Sequence, residues 1–290
     1  MTAMRAIRGV ITAMATPFDE DGAVDERAAR SLARHLVEHG SHGLVVAGTT
    51  GECPTLTDEE QISLLRAVVE EVGGEALIVC GTGTNDTRHS RELTKAAANA
   101  GAEASLVVTP YYNKPNQAGL RAHFEAVAEA APELPMIVYN IPSRVVVNME
   151  PSFLAELASI DNVVAVKQAN NDDLGPIEGL ALLAGNDDVF LRTLELGGAG
   201  GILVASHVAG EPMREMWEAA QDGDLERARE IDAGLRPLYE GLAVTVNPIP
   251  IKATLEMRGL IPSDRLRLPL VPADRDQRET VQSALESAGL

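Results

Sequence analysis

Gly43-Leu44-Val45-Val46-Ala47, followed by Gly48-Thr49-Thr50-Gly51-Glu52 and then by Thr57-Asp58-Glu59-Glu60-Gln61-Ile62-Ser63-Leu64-Leu65, reads as a strand, a loop and a helix in that order. The first run is apolar throughout rather than alternating, which is the pattern of a parallel strand covered on both faces. Thr57 to Glu60 is a capping box, Ile62, Leu65 and Val69 recur at helical spacing, and Gly73 ends the helix. The same unit repeats outward in both directions. Apolar runs stand at Gly9–Met14, Ala76–Cys80, Ala104–Thr109, Met136–Asn140, Val163–Lys167, Asp188–Leu191 and Gly201–Ala205. Helical patterns lie between them, for example from Asp25 through Leu32 and Leu36 to Gly40, and from Pro151 through Phe153, Leu154 and Leu157. Strands alternating with helices in this number predict an α/β fold, a (β/α)8 TIM barrel, because a doubly wound sheet would carry a Gly-rich dinucleotide turn near its start. The link Arg192 to Gly200 is short for a crossover helix, so the strand at Asp188–Leu191 fits least well. Beyond Glu211 the strand-like runs stop and helices at Glu211–Gln221 and Leu225–Leu242 take over, followed by Pro248, Pro250, Pro262, Pro269 and Pro272. The expected division is a barrel over 1–220 and a C-terminal helical appendage over 221–290.

Composition narrows the function. The chain has 290 residues, 45% of them hydrophobic, and carries 24 basic against 43 acidic residues for a net charge of −19. Such a surface repels phosphate backbones and anionic lipid, so nucleic acid and membrane are not expected partners, and an anionic substrate has to be held locally by isolated basic groups or backbone N–H. Cys53 and Cys80 are the only cysteines, too few for a disulfide framework, which fits a reducing cytoplasm. Arg5 and Arg8 ahead of Val10-Ile11-Thr12-Ala13-Met14 imitate the start of a signal peptide, but Pro17 and Asp19 cut the apolar run short.

In this fold the active site is built at the C-terminal ends of the strands. Those ends read Thr16-Pro17, Gly48-Thr49-Thr50-Gly51-Glu52, Gly81-Thr82-Gly83, Thr109-Pro110-Tyr111-Tyr112, Tyr139-Asn140, Lys167-Gln168, Gly185 and Ile202. This rim offers hydroxyls, amides and one amine, and little carboxylate. Lys167 follows Val163-Val164-Ala165-Val166, so its ammonium starts at the end of a buried strand, where desolvation favours the neutral, nucleophilic amine. The bland alternative is a lysine that snorkels to solvent. Tyr139 ends the preceding strand as a candidate proton carrier, against the alternative of a satisfied core tyrosine. Thr49, Thr50 and the backbone of their loop suit a carboxylate or a phosphate. His35-Leu36-Val37-Glu38-His39 matches a zinc-peptidase pattern, but it closes a helix on the stability face and lacks a third ligand, so no metal is expected. Gly81-Thr82-Gly83-Thr84-Asn85 lacks the third glycine of a dinucleotide fingerprint, and Cys53 has no signature of a catalytic thiol.

Taken together, Thr16-Pro17-Phe18, the Gly48–Glu52 loop, Gly81–Asn85, Pro110-Tyr111-Tyr112-Asn113-Lys114-Pro115, Tyr139-Asn140-Ile141-Pro142-Ser143-Arg144, Lys167, Gly197–Ile202 and Asn247-Pro248-Ile249-Pro250 resemble, in order and spacing, the dihydrodipicolinate synthase branch of the N-acetylneuraminate lyase superfamily of pyruvate-dependent aldolases. The resemblance implies a barrel with a helical appendage, a homotetramer of two tight dimers, no metal and no organic cofactor. It implies that Lys167 forms a Schiff base with pyruvate, and that Tyr139, Thr50 and Tyr112 form a proton relay with Tyr112 reaching into a neighbouring subunit's site. Thr49 and Thr50 would hold the pyruvate carboxylate, with Gly185 and the Ile202 carbonyl lining the cavity near the lysine. Arg144 would anchor the carboxylate of L-aspartate 4-semialdehyde, whose condensation with pyruvate gives 4-hydroxy-tetrahydrodipicolinate on the way to lysine and diaminopimelate. A bidentate arginine at this place favours the synthase branch over a 2-keto-3-deoxygluconate or N-acetylneuraminate lyase, and a complete relay disfavours a non-catalytic keto-acid sensor. Gln168, Val145 and Ala205-Ser206-His207 depart from the family pattern and bear on substrate choice. Gln61 and His89 stand where lysine-inhibited members carry His and Glu, although Asn85 and Tyr111 remain, so weak lysine feedback is expected.

Overall fold

The computed structural model describes residues 6–290, so Arg5 of the leader-like start lies outside the described residues. Eight parallel strands close into a barrel in sequence order. They are β1 (Gly9–Ala13), β2 (Gly43–Val46), β3 (Leu77–Gly81), β4 (Ala104–Val108), β5 (Met136–Asn140), β6 (Val163–Gln168), β7 (Ala181–Ala184) and β8 (Gly200–Leu203), with β8 pairing back onto β1. The helices between them are α1 (Glu26–Glu38), α2 (Asp58–Val72), α3 (Thr87–Asn99), α4 (Gln117–Ala130), the short α5 (Pro142–Val145), α6 (Pro151–Leu157) and α7 (Phe190–Glu195). After β8 come α8 (Ser206–Gln221), α9 (Leu225–Leu242), α10 (Ile249–Met257) and α11 (Arg275–Ser287).

Continuous apolar runs are explained by two hydrophobic layers. Residues spaced by two, such as Ile11 and Ala13, Leu77 and Val79, Ile137 and Tyr139, with Ala165, Leu183 and Ile202, form the barrel interior. Their neighbours Leu44, Val46, Ile78 and Cys80 pack outward against Leu32, Leu36, Leu65 and Val68 of α1 and α2. The capping box at Thr57 and Glu60 forms as expected, and Asp25 caps α1 through Ala28 N.

The seventh strand is a correction. Asp188–Leu191 is not extended: Asp187–Val189 is a short 3-10 turn leading into α7, and the strand is Ala181–Ala184. Its residues Ala-Leu-Leu-Ala are helix formers by propensity, and they become a strand because both edges pair with neighbours, β6 on one side and β8 on the other. With the strand moved upstream, the crossover helix that had no room in Arg192 to Gly200 is α7. Among the described residues no helix is long and apolar enough to cross a membrane. His35 and His39 stack on each other at the end of α1, with ring centroids 4.0 Å apart.

Candidate active site

Inward register carries the chemistry to the C-terminal mouth of the barrel. Two residues beyond Ile137 and Ala165 along their strands, Tyr139 and Lys167 are paired neighbours on β5 and β6. Lys167 Nζ lies 4.3 Å from the Tyr139 ring centroid, and the lysine is 6% exposed. Burial, reinforced by Arg144 and opposed by Asp187, brings the Lys167 amine down to about 7, so near neutrality a large fraction is the free base. The rate of Schiff-base formation with a keto acid is therefore expected to rise across a midpoint near pH 7 and to level off above it, measured by borohydride trapping at short times. A rate independent of pH from 6 to 9 would contradict the depressed amine.

The cavity around Lys167 has a volume of about 690 Å³ and is lined by Thr49, Thr50, Tyr139, Arg144, Gly185 and Asp187, among others. Burial pushes the Tyr139 hydroxyl up to about 12, with Arg144 and a hydrogen bond from Thr49 acting the other way. Thr49 and Thr50 line the same cavity as Tyr139. Thr50 Oγ1 accepts from Asn247 Nδ2 at 3.0 Å. Arg144 sits on α5 at the mouth, and its Nη2 donates to the Asn247 carbonyl at 3.1 Å. Gly185 is forced by packing, since a Cβ there would stand 2.6 Å from the Gln168 carbonyl oxygen. Ile202 is fully buried in the barrel interior, and Val204, two residues on, reaches the cavity wall. Tyr112 lies away from this cavity, 87% exposed with φ +72 in the loop after β4.

The threonine loop is held from behind. Glu52 adopts φ +57, and its carboxylate accepts from Lys252 Nζ at 2.8 Å and from the Arg267 backbone N–H at 3.0 Å. Lys252, 0% exposed, also donates to the Thr16 carbonyl at 2.9 Å. The C-terminal helices therefore brace the strand ends of the barrel, and α9 and the segment after it supply Arg236, Tyr239 and Asn247 to the cavity wall.

A family model described as the dihydrodipicolinate synthetase family matches residues 6–288. The chain belongs to this family. It is 47% identical over 283 residues to a 4-hydroxy-tetrahydrodipicolinate synthase of Parasynechococcus marenigrum (strain WH8102), covering 95% of this chain and 93% of the relative. Among solved structures it is similar to the dihydrodipicolinate synthase of Cyanidioschyzon merolae with lysine bound, at TM-score 0.94 and 41% identity over 98% of both chains. A chloride-inhibited dihydrodipicolinate synthase from Acinetobacter baumannii complexed with pyruvate is equally near in fold, at TM-score 0.94 and 38% identity, covering 98% of this chain and 99% of that one.

Within this family framework the sequence departures acquire definite places. Gln168 turns its amide away from the cavity, its Oε1 accepting from Asn140 Nδ2 at 3.0 Å and from the Asn170 N–H at 3.0 Å. His207 is buried and its pKa falls to about 4, so the ring is neutral. Its Nδ1 donates to the Val204 carbonyl at 2.8 Å and its Nε2 accepts from the Ala15 N–H at 3.1 Å, a fixed tautomer that ties the end of β8 to the end of β1. Burial pushes the Cys53 and Cys80 thiols up to about 12, which keeps both unreactive. Asp187, Tyr239 and Asn247 are the site residues that sequence reading left without a role. Asn247 belongs to the Asn247-Pro248-Ile249-Pro250 motif, and Asp187 opens the 3-10 turn that replaces the expected strand at Asp188–Leu191.

Proposed function

We propose that this protein condenses pyruvate with L-aspartate 4-semialdehyde to give 4-hydroxy-tetrahydrodipicolinate, with Lys167 as the Schiff-base lysine. The observation that carries the assignment is the enclosed Lys167 amine, held near pKa 7 beside Tyr139 in one cavity with Thr49, Thr50 and Arg144. The neutral amine adds to the keto carbon, and loss of water leaves the protonated imine, an electron sink through which a methyl proton is lost to form the enamine. The enamine carbon attacks the aldehyde. Tyr139, beside Lys167, is placed to exchange protons with the groups on Lys167, and its raised pKa keeps it protonated and able to donate. Loop amides and hydroxyls of Thr49 and Thr50 hold the pyruvate carboxylate, Gly185 bounds the lysine side, and Arg144 at the mouth takes the carboxylate of the aldehyde; the carbonyl of Ile202, buried in the barrel beneath, is the family's further contact to the lysine side. The amine of the condensed substrate then displaces Lys167 and closes the ring. No metal or organic cofactor enters this chemistry.

The working form proposed is a homotetramer in the cytoplasm. An 87% exposed Tyr112, presented on its loop outside its own cavity, supports a role in a neighbouring subunit's relay. Incubation with pyruvate, borohydride reduction and peptide mass mapping test the assignment, followed by turnover with L-aspartate 4-semialdehyde. An adduct on Lys167 with turnover supports it; an adduct without turnover redirects it to a sugar-acid aldolase; no adduct overturns the mechanism.

Feedback by lysine is expected to be weak. Gln61 Nε2 donates to the Cys53 carbonyl at 3.2 Å, and His89 Nε2 is engaged by the Asp58 carboxylate at 2.8 Å, so neither position offers a carboxylate or a free imidazole to a lysine ligand. Activity should be essentially unchanged in sub-millimolar lysine, and a fall by half there would refute the expectation.

A further inference from the structure

Asp187 occupies a position that the condensation step leaves unused. Its Oδ1 accepts from the Val204 N–H at 2.9 Å and the Ala205 N–H at 3.1 Å, which fixes the carboxylate at the turn after β8. Among the described residues no donor reaches Oδ2, and Asp187 lines the cavity. Of the charged groups, Asp187 acts most strongly on Lys167 and also on the Tyr239 hydroxyl. Tyr239 is 6% exposed, lines the same cavity from α9, and its hydroxyl has no hydrogen-bond partner. A buried hydroxyl without a partner costs stability unless a ligand completes it. Of the charged groups lining the cavity, Arg144 and Asp187 act on the lysine with opposite sign, and Asp187 also acts on the open hydroxyl.

We propose that Asp187 and Tyr239 form the subsite for the ammonium group of the acceptor aldehyde, and that Asp187 is the base that frees this amine to displace Lys167. The inference rests on the reading that the acceptor is L-aspartate 4-semialdehyde. That molecule carries a carboxylate and an ammonium on one carbon. Arg144 satisfies the first, and an ammonium with three donors calls for an acceptor such as Asp187 Oδ2. Ring closure joins the substrate nitrogen to the carbon bound to Lys167, so a group acting on that nitrogen has to stand beside Lys167. The ammonium gives one proton to Asp187. The freed lone pair forms the new C–N bond at the imine carbon, and the pair of the C=N π bond moves onto the Lys167 nitrogen. A proton passes from the new nitrogen to the lysine nitrogen, the C–N bond to Lys167 breaks with its pair leaving on lysine, and the ring closes as a protonated imine. The proton stored on Asp187 returns to solvent through the cavity mouth.

Asp187→Asn separates this role from a merely structural one, because an amide oxygen still accepts from Val204 and Ala205 while the base is lost. With L-aspartate 4-semialdehyde, turnover should fall by about 100-fold or more, the scale of a lost general base. With succinic semialdehyde, which has the aldehyde and carboxylate but no amine, the borohydride-trapped condensation adduct on Lys167 should form within about threefold of the unmodified rate at about pH 9, where the Lys167 amine is largely free base with or without the Asp187 charge. Tyr239→Phe should raise KM for L-aspartate 4-semialdehyde by about tenfold, equivalent to one hydrogen bond to a charged group, and leave succinic semialdehyde unaffected. Equal losses with both aldehydes would assign Asp187 to loop support and overturn the proposal, as would no loss with either. If the unmodified protein traps pyruvate yet does not turn over L-aspartate 4-semialdehyde, the acceptor assignment fails first and the ammonium subsite falls with it.

Discussion

Lys167→Met should lower turnover by at least about four orders of magnitude and abolish the borohydride-trapped pyruvate adduct, because no other amine in the cavity can form the imine. The same variant should be more stable than the unmodified protein. In the folded state the Lys167 amine is held near 7 against an ordinary value of 10.5, so the unfolded chain binds more protons between those two values. Stability of the unmodified protein is thereby reduced below pH 7 and recovers as pH rises towards 10.5. Methionine fills a similar volume without this cost, so the gain should be on the order of a few kcal/mol near pH 6 and should shrink as pH rises through that window. Thermal unfolding at several pH values checks the sign. A variant that lost both activity and stability would mean that Lys167 braces the barrel rather than serving its chemistry.

Lys252→Met should destabilise the fold by about 3–5 kcal/mol, the usual cost of leaving a buried partner charge uncompensated. Glu52 and Lys252 leave only 1% and 0% of their side-chain surface exposed, and burial outweighs the carboxylate enough to lower the Lys252 pKa. Removing the ammonium leaves Glu52 with only the Arg267 N–H, and frees the Thr16 carbonyl as well. Denaturant unfolding should show the loss, and Glu52→Gln in the same chain should recover part of it, so that a double-mutant cycle gives a coupling of about 1 kcal/mol or more. Because Glu52 directly follows the Thr49-Thr50-Gly51 loop, KM for pyruvate should rise in Lys252→Met even where the protein remains folded. Additive effects of the two substitutions would show that the contact is incidental.

Most of the barrel was readable because parallel strands buried on both faces write themselves as short Val- and Ile-rich runs, and helix starts such as Thr57 to Glu60 carry their own caps. Lys167 and Tyr139 were readable for a related reason, since each ends an apolar run and the fold rule places strand ends at the active site. The strand Ala181–Ala184 was hidden by its Ala and Leu content, and its identity is imposed by pairing with β6 and β8 rather than by any local preference.

What the sequence by itself determined was the (β/α)8 class and the position of Tyr139 and Lys167 at the ends of adjacent strands, where the proposed chemistry lies. Only the tertiary structure decided which side chains meet there: Asn247 between Thr50 and Arg144, Lys252 beneath Glu52, and Asp187 with Tyr239 in the cavity of Lys167. The physical reason is that periodicity and capping are written in neighbouring residues, whereas a desolvated amine, a buried ion pair or an unpartnered hydroxyl arises only when chain closure brings residues distant in sequence into one volume from which water is excluded.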